Sequence, residues 1–159
     1  MNTSSNSSSE IFTFEKDFAG ALYCIPMAVR RKLDLCGVKV SLKQWNRFEL
    51  DEREQMVAQD CETPNEIDTY GRYVVGVIEQ RTDDAAQLLE RDAGTEWNDP
   101  KSVPQRVLDY SMERDVTPPT VAQWAALSPL QRFSIFKLTR PGHSNENFVP
   151  AMREFGLID

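Results

Sequence analysis

The residues with the most distinctive chemistry in this 159-residue chain are three cysteines, Cys24, Cys36 and Cys61, and a single histidine, His143. Three thiols and one imidazole are a ligand set that holds zinc or an iron–sulfur cluster when the side chains converge. Their spacing matches neither a zinc knuckle nor a ferredoxin run. Cys36 also falls on the apolar face of a helix, where a thiol acts as a small hydrophobe. A Cys–His nucleophile pair would need an orienting third group and an oxyanion hole, and the sequence offers neither. Gly71 and Gly76 have P-loop separation but lack the following Lys-Ser/Thr. No G-x-G-x-x-G, H-E-x-x-H or C-x-x-C occurs. The expectation is a protein that is not an enzyme and carries no cofactor. The alternative is a zinc- or iron–sulfur-binding carrier that uses Cys24, Cys36, Cys61 and His143.

A second group lies in the polar loop 140–147, RPGHSNEN. Arg140, His143, Asn145 and Asn147, with Arg132 on the preceding helix, form a candidate interaction loop that could hold an anion, a cofactor edge or a partner. The plainer reading is a turn with Asx-type hydrogen bonds, in which Asn147 caps the last helix. Loops at the ends of buried helices often carry function.

The elements that must position these residues read as short helices. Pro26 opens a helix with Leu22, Ile25, Val29, Leu33 and Cys36 on one face, and Gly37 is suited to stop it. An extended link at 38–40 precedes a capping box, Ser41 with Gln44, that starts a helix with Leu42, Trp45 and Phe48 inward. A further short helix covers 51–59. Thr63-Pro64-Asn65-Glu66 combines an N-cap, a first-position proline and a capping glutamate. The helix it starts runs through the β-branched YVVGVIE segment, where the 3–4 spacing outweighs strand propensity. Residues 82–100 are acidic, with a short helix expected at 85–91 and a loop carrying Trp97. Val103-Pro104 opens the next helix, with Val107 and Tyr110 inward. Thr120 with Gln123 and Ser128 with Gln131 make two more capping boxes. The helix from Pro129 is apolar around most of its circumference, as a central bundle helix is. A last helix brings Phe148, Met152 and Phe155 inward.

Composition narrows the classes of function. Hydrophobic residues make up 40% and charged residues 27%, as in soluble globular domains. The net charge of −7 argues against a general grip on nucleic acid or anionic lipid. No apolar run is long enough to span a membrane. The start, MNTSSNSSSE, lacks a signal-peptide core. Residues 1–10 are expected to be a disordered Ser-rich tail, and the location is expected to be cytoplasmic. The odd cysteine number fits that compartment.

The fold class expected is all-α: a single helical domain over 11–159, a bundle of short helices built from two related halves. The halves cover about 25–60 and 103–139. Pro26 aligns with Pro104, Val29 with Val107, Gln44-Trp45 with Gln123-Trp124, Phe48 with Leu127, and Arg53 with Arg132.

The segments LYCIPMAVRRKLDLCGVKVSLKQWNRF, CETPNEI and LSPLQRFSIFKLTRPGHSNENFVPAMREFGL resemble those of the nitrate reductase-associated proteins. The resemblance runs from Phe12 to Leu157 and carries over onto Cys24, Cys36, Cys61, Arg132, Arg140, His143 and Asn147. It does not extend to 82–100. It implies a non-enzymatic accessory or maturation factor of nitrate assimilation. The implied partner is a nitrate reductase that holds a molybdenum cofactor and an iron–sulfur cluster.

Overall fold

A computed structural model describes residues 8–16, 22–141 and 145–159. The described residues hold eight α-helices: α1 Met27–Cys36, α2 Leu42–Trp45, α3 Leu50–Ala58, α4 Pro64–Arg81, α5 Gln105–Glu113, α6 Val121–Ala126, α7 Pro129–Lys137 and α8 Phe148–Glu154. Two short strands, β1 Val38–Lys39 and β2 Gln87–Leu88, pair antiparallel, with Val38 opposite Leu88. The protein is therefore mostly helical with one small ribbon. Among the described residues no helix is long and apolar enough to cross a membrane. The chain divides into two compact units, residues 1–93 and 94–159.

In the first unit α1 packs on α4 and α3. Its core gathers Val29, Leu33, Trp45, Phe48, Met56, Tyr70, Val74 and Ile78. The helix starts follow from local hydrogen bonding. Ser41 accepts from Gln44 N, and Thr63 accepts from Glu66 N. The carboxamide of Gln44 and the carboxylate of Glu66 return the bond to the N-cap backbone. Gly37 takes a left-handed conformation (φ 72°) after α1. A Cβ there would stand 2.5 Å from the Leu89 carbonyl oxygen, so both the turn and the close strand approach need glycine.

Helix α1 has proline at its N-cap, which supplies no capping side chain. The carboxylate of Glu15 supplies the acceptor instead. It is buried and accepts from Met27 N and Phe12 N at 3.0 Å each. A carboxylate there also meets the positive end of the helix dipole. Glu15→Gln should lower the urea midpoint, with a loss of about 1–3 kcal/mol; an unchanged midpoint would show that the contact contributes nothing.

Two local expectations are corrected. Residues 85–91 are not helical. Their backbone pairs with β1, and Leu89 N and Asp92 N donate to Gly37 O and Asp34 O at 2.7 and 2.9 Å. A helix of one or two turns is marginal by itself, so these non-local acceptors at the end of α1 win. Leu42 is about half exposed rather than inward. Helix α2 is a single turn, and Trp45 takes its core position.

In the second unit α7 packs against α5 and α8. Leu130, Phe133, Ile135 and Phe136 are buried on different sides of α7, as its apolar circumference requires. Trp97 meets the edge of Phe133 at 5.3 Å between ring centroids, and Tyr110 meets Phe148 at 4.8 Å. Tyr110 is half-buried and Phe155 likewise, less deeply set than their spacing suggests.

Candidate functional site

The candidate loop begins where α7 ends. Thr139 is buried and its hydroxyl donates to Phe136 O at 2.6 Å. Arg140 is exposed, with its guanidinium over the Phe136 ring at 5.5 Å. Residues 142–144, including His143, lie outside the described residues. Residues Asn145–Asn147 form a 3-10 turn that leads into α8. Asn147 is the N-cap of α8 but makes no side-chain capping bond.

Where the loop leaves α7, at Thr139 and Pro141, lies a cavity of about 620 Å³. One wall is α5, which presents Gln105, Arg106, Asp109 and Glu113 at helical spacing around the Tyr110 ring; Thr139 and Pro141 form the opposite wall. Gln105 donates to Asp109 at 2.9 Å across one turn. Gln105, Arg106, Asp109 and Glu113 are exposed, so the cavity carries both signs of charge on a polar rim. Such a surface suits hydrogen-bonded and ion-paired contact with another protein. The α5 contribution was missed in the sequence, because its polar residues look like an ordinary solvated helix face.

Arg132 is placed elsewhere in the same unit. It is only 7% exposed. Its Nη1 donates to Leu127 O at 2.9 Å, Trp124 O at 3.1 Å and Ala125 O at 3.4 Å, and Nε and Nη2 both reach Asn98 Oδ1 at 3.3 Å. Trp124 O also accepts from Leu127 N at 3.2 Å, and the guanidinium adds a donor to it and to the carbonyls of Ala125 and Leu127 at the end of α6. Burial lowers its pKa, and nearby Asp99 acts the other way.

The cysteines belong to the first unit. Cys24 is half-buried, and Cys36 and Cys61 are buried. Cys36 lies at the crossing of α1 and α4, where a Cβ on Gly71 would stand 3.3 Å from its own Cβ. Its thiol donates to Leu33 O at 3.6 Å, while the Cys61 thiol lies 3.9 Å from Lys32 O. Burial raises the Cys36 pKa, and burial, with Cys36 nearby, pushes Cys61 up to about 12. Both are neutral thiols at pH 7, whereas a metal binds the thiolate. Among the described residues no three Cys, His, Asp or Glu side chains converge as metal ligands.

One buried group has no counterpart in the sequence reading. Lys32 is fully buried, and its ammonium donates to Val57 O at 2.7 Å, Gln59 O at 2.8 Å and Ser9 Oγ at 3.1 Å. It closes the C-terminal end of α3 and fastens Ser9, within the expected tail, to the core; residues 1–7 of that tail are outside the described residues. The signal was present in position only: Lys32 sits three residues after Val29 and four before Cys36, on the core face of α1.

The family model for conserved nitrate reductase-associated proteins matches residues 11–155. No curated protein and no solved structure gives a match.

Proposed function

Because the chain belongs to the conserved nitrate reductase-associated protein family, we propose that it is a non-enzymatic accessory factor that binds a nitrate reductase during maturation. The observation that carries this reading is the family match over 145 consecutive positions, residues 11–155. The reductase in view is the enzyme with a molybdenum cofactor and an iron–sulfur cluster, and the site of action is the cytoplasm. Two features of the second unit support a docking role. Its cavity is open and carries exposed charges of both signs on α5. The candidate loop 140–147 starts at the cavity, which Pro141 lines. The deeply buried polar groups Arg132 and Lys32, by contrast, are engaged with backbone carbonyls.

The test is co-purification with apo- and holo-reductase. The apo form is expected to be retained. The double charge reversal Arg106→Glu with Asp109→Arg should weaken retention about tenfold or more while leaving the helical content unchanged. No complex with either form, together with normal reductase activity in cells lacking this protein, would sink the proposal.

We propose as well that the stretches 25–60 and 103–139 are related helical halves within one domain over 11–159. The support is a set of equivalent contacts, each internal to its own unit. Trp45 and Trp124 are fully buried. Their indole N–H groups donate to carbonyls that precede the first helix of each half, Leu22 O at 2.8 Å and Asp99 O at 3.1 Å. Eight residues after each tryptophan an arginine reaches back. Arg53 donates to Phe48 O at 3.0 Å and Leu22 O at 2.9 Å; Arg132 donates to Leu127 O, the position aligned with Phe48. The first helix of each half is followed by a left-handed residue, Gly37 (φ 72°) and Asp115 (φ 57°).

A further inference from the structure

The outer face of α4 is built to receive something. Glycine in a helix interior costs about 1 kcal/mol relative to alanine and needs a reason. Gly71 has one, since Cys36 packs against it. Gly76 has none within this chain, because a Cβ there would meet nothing within 4 Å. It leaves a bare notch, with Val75 beside it, on the floor of a groove of about 570 Å³. The far wall is the ribbon, where Leu88 is 69% and Leu89 51% exposed.

The charges around the notch have a particular arrangement. Arg72 and Glu79 are exposed, lie on the same face of α4, and flank Val75 and Gly76 at equal distances along the helix. Seven residues separate them, about 10.5 Å of helix rise, too far for a direct ion pair. Among the described residues neither has an ion-pair partner. Arg72 makes a 3.3 Å hydrogen bond to Thr69 on its own helix. Asp68 and Arg91 also line the groove but pair with each other at 3.0 Å. That leaves Arg72 and Glu79 as its charges without an ion-pair partner among the described residues. Placed symmetrically about the notch, they make the face complementary to itself after a half-turn.

We propose that this face binds a second copy of the same chain. The two-fold axis passes between Val75 and Gly76, and α4 runs antiparallel to α4 of the second copy. Each Val75 then seats in the notch at Gly76 of the other chain, where the missing side chain lets the helices approach. Each Arg72 lies opposite Glu79 of the other chain, so two ion pairs form for one symmetric interface. Leu88 and Leu89 close over the flank of the incoming helix and lose their exposed apolar surface. A parallel arrangement would set Arg72 against Arg72 and is excluded by charge.

Sedimentation equilibrium over a concentration series tests this with the full chain. Wild type should approach twice the 18.2 kDa of one chain. Arg72→Glu and Glu79→Arg each place like charges across the axis, and each alone should raise the dissociation constant about tenfold or more. An equimolar mixture of the two variants, and the double variant R72E/E79R, should both recover the dimer. Far-ultraviolet circular dichroism checks that the exposed substitutions leave the fold intact. A monomeric wild type at every accessible concentration overturns the proposal. So does a dimer indifferent to both reversals, or a mixture that stays monomeric. A wild-type monomer whose Arg72→Glu variant loses reductase binding would assign the face to the reductase instead, and overturn it equally.

Discussion

Arg132→Met should be among the most damaging single substitutions in the second unit, lowering stability by about 3 kcal/mol or more and the thermal midpoint by about 6–12 °C. The guanidinium is buried and engages three main-chain carbonyls of the α6 terminus and the Asn98 side chain. Methionine matches the aliphatic stem but removes the donor from Ala125 O, Leu127 O and Asn98 Oδ1, while Trp124 O keeps only its bond from Leu127 N. Arg132→Lys keeps the charge on a single nitrogen, which cannot span carbonyls and Asn98 in the planar fork that arginine provides, so it should recover only part of the loss. Differential scanning calorimetry decides the matter. A midpoint unchanged by Arg132→Met, with reductase binding abolished, would make Arg132 a contact residue and contradict the structural role its geometry gives it.

Lys32→Met carries the second large effect, a loss of about 2 kcal/mol at neutral pH. Two effects compete here. Removing a buried ammonium relieves its desolvation, but it also strips the donor from Val57 O and Gln59 O at the end of α3 and releases Ser9. The orphaned carbonyls decide the sign. The pH dependence identifies the group. Burial lowers the Lys32 pKa from 10.5 to about 8, with nearby Cys61 opposing the shift. Between about pH 8 and 10.5 the unfolded chain therefore binds the proton that the folded chain has released. Stability from this group rises with pH across that window. The stability gap between wild type and Lys32→Met should widen from pH 8 to 10.5, read by urea unfolding at each pH. A gap that narrows over that range would mean that the three acceptors hold the ammonium above its ordinary pKa.

The candidate site was legible in the sequence in its loop but not in its walls. Residues 140–147 stand out because polar, turn-forming residues crowd the end of an apolar helix. Nothing in the α5 sequence says that Arg106, Asp109 and Glu113 would share a cavity with Thr139 and Pro141. That depends on the packing of α5 against α7, settled by apolar contacts on the opposite faces of both helices. The cysteines show the converse. As residue types they suggest a metal set; the fold puts Cys36 on the inner face of α1 and Cys61 in the link between α3 and α4, where both are buried thiols with raised pKa.

What the sequence by itself determined is where helices begin and stop. The capping boxes at Ser41, Thr63, Thr120 and Ser128 form as read, because each is an exchange between residues three apart. The stop at Gly37 forms because a glycine takes φ 72° without steric cost. Tertiary structure alone decided the fate of the charged and extended segments. Glu15 caps a helix twelve residues away, Lys32 closes one that ends more than twenty residues on, and 87–88 becomes a strand because acceptors near the end of α1 are waiting for it. Those partners lie far apart in the chain. Their free energy depends on burial and on which carbonyls the helices leave unpaired, and neither quantity exists until the helices have packed.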